Sequence, residues 1–221
     1  MISKDQLISI LENPSENRGS VSVFIIWLFM VSAMIGVSVG FETFFVPKTP
    51  LNLIVQTVLF FWVARFQSAA SITAVASILV IGIGIEWIGI HYGLPFGNYS
   101  YGSHLGFKLD GVPLLIGTNW LLLSWCSHSL LEKTKWNRVY KALLSSLLMV
   151  LLDIPMEIVA PEFDFWAFEP APPWINYFAW GVIAFVMQLI IQQTKHRINE
   201  HFAFHYYLSQ ILFFSYFAWL Y

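Results

Sequence analysis

Residues 68–92 read SAASITAVASILVIGIGIEWIGIHY. These 25 residues carry a single Asp, Glu, Lys or Arg, Glu86, and as a helix they exceed the about 20 apolar residues that a hydrocarbon core takes at about 1.5 Å of rise each. The pattern recurs outward in both directions. Comparable apolar runs occupy residues 20–41, 51–66, 112–131, 139–158, 175–193 and 202–221. Together they predict an all-α, polytopic membrane protein with about seven transmembrane helices. The run at 51–66 is short and is followed by a tight turn at Arg65, Phe66 and Gln67, so six spans with a re-entrant segment is the alternative count. Residues 1–19 form a polar segment with Lys4, Asp5, Glu12, Glu16 and Arg18. It lacks the apolar core and small-residue cleavage site of a signal peptide, so the first helix is expected to stay in the mature protein. Residues 20–221 then make one transmembrane domain without internal repeats.

Composition agrees. Of 221 residues, 57% are hydrophobic, 18% aromatic and 11% charged, whereas a soluble domain carries about 25% charge. So few charges cannot cover a water-soluble globule. A net charge of −2, without a basic cluster beyond one short loop, excludes a nucleic-acid binder. The single cysteine, Cys126, cannot form a bridge within the chain.

Lys and Arg segregate between alternate loops. Lys4, Arg18, Arg65, Lys133, Lys135, Arg138, Lys141, Lys195 and Arg197 fall on one side, and Lys48 and Lys108 on the other. Nine against two puts the N-terminus in the cytoplasm and favours an odd number of spans.

An ionisable group at membrane depth costs about 2.5–3.5 kcal/mol on insertion scales and marks function by default. Glu42, Glu86, Asp153 and Glu157 qualify. Glu42, at the end of the first span, also reads as interfacial. Asp153 and Glu157 are one helical turn apart on one face, with Pro155 between them to loosen the backbone. Glu86, Asp153, Glu157, Asn119 and Asn176 fall at one depth in the outward half of the bilayer, which points to one cavity. The alternative is that each acid is hydrogen-bonding glue between helices. Gly82, Glu86, Gly89 and Gly93 form a stripe that admits another backbone or a flat ligand.

Two loops flank this depth. Gly93-Leu94-Pro95-Phe96-Gly97-Asn98-Tyr99-Ser100-Tyr101-Gly102 is a structured, aromatic turn. The stretch 159–174 has no Lys or Arg but has Glu162, Asp164, Glu169, four prolines, Phe163, Phe165, Trp166, Phe168 and Trp174. An interfacial belt explains the aromatics. The prolines favour two rigid loops forming a lid or mouth over a cavity. His128, His196, His201 and His205 are too few for a di-iron hydroxylase and read as interfacial.

The run Gly84-Ile85-Glu86-Trp87-Ile88-Gly89, continued by Gly93 through Tyr101, Leu105-Gly106 and Gly111-Val112-Pro113 to Trp120, resembles the membrane carotenoid hydratases called CruF. Leu152-Asp153, Pro155-Met156, Pro173-Trp174, Asn176-Tyr177-Phe178 and Trp180 resemble a later motif of that family, so the likeness covers roughly residues 82–181. The family has members with longer chains, and Glu157 and the acids of the 159–174 stretch have no clear counterpart in its motifs.

The resemblance implies addition of water to the terminal double bond of an acyclic carotenoid end group, giving a tertiary alcohol. It also implies a prokaryotic cytoplasmic membrane, a carotenoid substrate and the lipid bilayer as partners, other carotenoid-synthesis enzymes as candidate partners, and no cofactor. Such a reaction needs a protonated acid, a surface that tolerates a tertiary cation, and one water. Burial disfavours the charged form of a carboxyl group and keeps its proton available. On that argument Asp153 is the expected donor, with Glu86 as its partner or the base that orients water, and Glu157 a second candidate for handling water. Trp87, Tyr99, Tyr101, Trp120 and Trp180 offer π faces to the cation, at about 0.5–2 kcal/mol each. Asn119 and Asn176 are expected to hold the water or the new hydroxyl. A retinal photoreceptor is excluded because residues 202–221 contain no lysine for a Schiff base. A prenyltransferase is excluded because no Asp-x-x-Asp run is present. A non-enzymatic carotenoid or lipid carrier, or a scaffold of a biosynthetic complex, remains as the competing class.

Overall fold

The computed structural model describes residues 14–221, so Lys4, Asp5 and Glu12 of the polar N-terminal segment lie outside the described residues. The helices are α1 (Pro14–Ser38), a one-turn α2 (Glu42–Phe45), a 3₁₀ turn (Val46–Lys48), α3 (Thr49–Val63), α4 (Ala69–Tyr92), α5 (Leu115–Leu131), α6 (Arg138–Val159), α7 (Trp174–Ile191) and α8 (Glu200–Leu220). Among the described residues, five runs are long and apolar enough to cross a membrane: Asn17–Ser38, Glu42–Val63, Ala69–Tyr92, Arg138–Val159 and Trp174–Ile191. Their outer faces expose Phe24, Ile35, Val80, Leu147 and Val186, a surface suited to lipid. The architecture is that of a helical membrane protein.

The second run departs from the expected 51–66. It begins at Glu42 and passes through the 3₁₀ turn into α3, because Pro47 and Pro50 occupy first-turn positions, where proline's missing N–H is not needed. The fourth run also shifts. Val112–Pro113 is a strand, and the helix begins at Leu115. Local signals fix the other ends. Ser68 caps α4 by accepting the Ser71 amide at 3.2 Å, Gly93 closes it at φ 67°, and Asn137 caps α6 by accepting the Tyr140 amide at 2.8 Å.

Helix α5 is the axis of the bundle. Every residue from Asn119 to Ser129 is buried, and α3, α4, α6, α7 and α8 pack around it. A helix apolar on all sides belongs inside; this one also carries Ser124, Ser127, His128 and Ser129 inward.

Among the described residues, three antiparallel ribbons tie the loops. Strands β1 (Arg65–Phe66) and β6 (His196–Arg197) pair at one end of the bundle. At the other end β2 (Tyr99–Tyr101) pairs with β5 (Trp166–Phe168), and β3 (Lys108–Leu109) with β4 (Val112–Pro113). The β2–β5 register sets Tyr99 opposite Phe168 and Tyr101 opposite Trp166.

Candidate active site

Glu86 sits in the buried stripe of α4 and is 3% exposed. Its Oε2 accepts the Tyr99 hydroxyl at 2.5 Å and the Tyr101 hydroxyl at 2.7 Å, and its Oε1 accepts the Trp120 indole N–H at 2.9 Å. Three donors converge on one carboxyl group, the pattern that suits an ionised, acceptor-only side chain. Burial first, and then the charge of Glu86, push both tyrosine hydroxyls well above the ordinary phenol range. Both therefore keep their protons and serve as donors. The glycine stripe is filled by the protein itself. A side chain at Gly82 would press on Trp120, and one at Gly89 would overlap the Tyr99 hydroxyl.

The other two acids lie on α6 and share one amide. Asn176 donates through Nδ2 to Glu157 Oε1 at 2.9 Å and to Asp153 Oδ2 at 3.4 Å. Glu157 Oε2 accepts the Trp166 indole N–H at 2.9 Å. Asp153 is fully buried, and its Oδ1 has no hydrogen-bond partner. Trp180, one turn beyond Asn176 on α7, stacks on Trp120 with centroids 3.9 Å apart and planes at 22°.

A cavity of about 20 Å³ lies among these groups, lined by Glu86, Tyr99, Tyr101, Glu157, Asn176 and Trp180, with Phe96, Ile116, Trp166 and Phe168 completing its wall. That is room for about one water, with polar partners on several sides. A second cavity of about 360 Å³ runs beside it between α1, α3, α5 and α8, lined mainly by apolar side chains and opening past the exposed Leu28, Phe44 and Leu51. Ile116 and Trp166 line both.

The expected residues divide accordingly. Glu86, Glu157, Tyr99, Tyr101, Asn176 and Trp180 line the small cavity, and Trp120 stands behind Glu86. Asp153 lies behind Glu157, outside either lining. Asn119 lines the large cavity. Trp87 is not part of the group. It is 36% exposed, donates to Asp110 at 2.7 Å and stacks on His91, because neighbours along a helix point about 100° apart. Glu42 is exposed at the start of α2. His128 and His196 are buried rather than interfacial. Their rings lie 5.5 Å apart, with His128 bonded to Gln188 and His196 to Thr194, in the half of the bundle away from the acids. Sequence reasoning named Phe96, Trp166 and Phe168 only as aromatics of the two loops, not as site residues, and did not name Ile116. The only signal for Trp166 was its place in a loop crowded with aromatics.

The two flanking loops do form one cover. Beyond the β2–β5 ribbon, the Gly102 amide donates to Phe165 O at 2.9 Å, and the Ser103 amide to Asp164 Oδ2 at 2.8 Å, joined by the Ser103 hydroxyl. Asp164 holds a left-handed conformation, φ 51°, that Asp and Asn tolerate. The two Ser103 donors hold its carboxyl below the usual aspartate range. A lowered value means that the strap is intact above about pH 4 and is lost as pH falls through the folded-state value. Amide protection at Gly102–His104 is accordingly expected to drop in Asp164→Ala at neutral pH, and in the unaltered protein only below about pH 4. Equal protection in both proteins at neutral pH would remove Asp164 from the strap.

Residues 49–220 match a family model described as carotenoid biosynthesis protein. Bisanhydrobacterioruberin hydratase of Haloarcula japonica is 31% identical over 116 residues, which is 48% of this chain and 40% of that relative. The match thus spans less than half the length of that protein. No solved structure matches. With the family model running from the first turn of α3 to the end of α8, the chain belongs to the carotenoid biosynthesis proteins, the family to which its CruF-like motifs pointed.

Proposed function

We propose that the protein hydrates the terminal double bond of an acyclic carotenoid end group, as in lycopene or γ-carotene. The observation that carries this reading is a one-water cavity lined by two carboxyl groups, Glu86 and Glu157, adjoining an apolar cavity large enough for an isoprenoid end. Glu157 gives a proton to the less substituted alkene carbon and leaves a tertiary cation on the other. Trp180, backed by the stacked Trp120, and the ring of Tyr99 present π faces to that cation. Water held between Glu86 and Asn176 adds to the cation, and Glu86 takes the proton released as the alcohol forms. The net change is one water added. Because both carboxyl groups border the same cavity, a single water between them returns the proton from Glu86 to Glu157 for the next turn.

Asp153 reaches the reaction only through Glu157 and Asn176. On this reading delivery of the proton lies one helical turn along from the residue that sequence favoured, and Asp153 positions and recharges the donor. Acid, water and a cation-tolerant wall suffice for this chemistry, which asks for no redox cofactor. In the topology that goes with it, seven helices cross a prokaryotic cytoplasmic membrane with the N-terminus inside. The acids and the loop cover then lie toward the outer face.

The apolar cavity alone also suits a carotenoid carrier. Expression in a lycopene-producing host separates the two. Hydration yields pigment heavier by one water, whereas co-purification of unchanged lycopene without any hydrated product would leave the carrier.

A further inference from the structure

The small cavity holds about one water, and an isopropylidene terminus is several times larger. On the proposed hydratase reading, the alkene must still come within reach of Glu157 and Glu86. It arrives from the apolar cavity, so one of the two side chains that form the shared wall has to move. Ile116 is buried in the first turn of the axis helix, held among the neighbours that pack around α5. Trp166 begins a three-residue strand in a two-stranded ribbon, a unit that has little stability of its own. Its ring is the only part of that wall tied to an acid, through the indole N–H on Glu157 Oε2.

We infer that Trp166 is the specificity-determining partition: the substrate's end group reaches the acids by displacing the Trp166 ring, and the displacement takes the indole N–H off Glu157. The donor is then untied only when an alkene stands beside it. The ribbon adds a second consequence. Trp166 is paired with Tyr101, whose hydroxyl bonds Glu86, so the ring moves against a strand anchored to the other acid. An open, narrow end passes such a partition more readily than a closed ring.

The test uses the full chain in lipid bilayers, with lycopene and β-carotene as ligands, and reads binding by quenching of tryptophan emission. The wild type is expected to prefer lycopene, whose ends are open, over β-carotene, whose ends are cyclised. Trp166→Phe keeps an aromatic ring in the wall but removes the N–H. It is expected to bind lycopene about tenfold tighter, since the ligand no longer has to break the indole hydrogen bond to Glu157. Trp166→Ala is expected to reduce the preference for lycopene at least about tenfold, chiefly by gaining affinity for β-carotene. Lycopene affinity unchanged or weakened in Trp166→Phe overturns the partition, as does a preference unchanged in Trp166→Ala. If the alanine variant does not accumulate, the phenylalanine variant decides alone. Hydrated product from the same bilayers is scored separately: lycopene bound by the wild type without hydration overturns the hydratase reading, while the affinities still judge the partition.

Discussion

Glu86→Gln is expected to reduce hydration by about 10³-fold or more while the protein still inserts and binds polyene. General base catalysis contributes about 10²–10⁴-fold, and a preorganised charge beside a developing cation adds to it. The substitution keeps the shape and removes both. It also upsets the three bonds that hold the side chain. A glutamine offers one acceptor and one donor, so its NH₂ faces either the Trp120 N–H or the two tyrosine hydroxyls. Facing the indole leaves two donors unsatisfied, at about 1–3 kcal/mol. Facing the tyrosines makes their hydroxyls turn. Stability therefore falls modestly while chemistry falls steeply. Product formed per unit of accumulated protein, with lycopene quenching as a control for binding, separates the two effects. Near-normal turnover in Glu86→Gln removes Glu86 from the mechanism.

The acid pair on α6 gives the second large effect, and here the two members are expected to differ. Glu157 borders the water cavity and Asp153 does not. Glu157→Gln is expected to cost about 10³-fold in turnover. Asp153→Asn is expected to cost about tenfold to a hundredfold, because it acts through Asn176 and Glu157 rather than on substrate. The double variant is expected to be no worse than Glu157→Gln alone, since groups acting as a unit are not additive. Stability runs the other way. Asp153 is fully buried, with one oxygen unpartnered and no basic side chain bonded to it, so replacing it by a neutral amide is expected to leave the melting temperature unchanged or higher. A Tm that falls by several degrees in Asp153→Asn, or a larger catalytic loss there than in Glu157→Gln, reverses the assignment.

Much of this site is legible in the chain because helices carry it. The spacing of Gly82, Glu86 and Gly89 marks one buried face of α4, and the i, i+4 relation of Asp153 and Glu157 marks one face of α6. Both patterns survive folding. Trp87 fails for the same geometric reason: adjacency in sequence places it about 100° from Glu86 on the helix. The loop residues fail for another. Trp166 and Phe168 acquire their places from a three-residue pairing with Tyr101 and Tyr99, more than sixty residues earlier in the chain, and no local periodicity encodes such a register. The second helical run starts before residue 51, where the reading put it, and takes in Pro47 and Pro50. In the first turn of a helix they are starters.

The axis helix α5 has a consequence for how the protein is made. A segment that meets no lipid along Asn119–Ser129, and that brings an asparagine, a histidine and several serines into the bilayer, has weak grounds for partitioning there on its own. Some of its polar groups find partners only on neighbouring helices: Gln188 of α7 bonds both His128 and the Ser124 carbonyl, and Ser145 of α6 bonds the Ser127 carbonyl. Both of those helices are synthesised after it. In the proposed seven-span topology, the helix that organises the finished molecule is thus the one whose insertion is expected to depend on segments still to emerge from the ribosome, so that α5, α6 and α7 are expected to insert together rather than one by one.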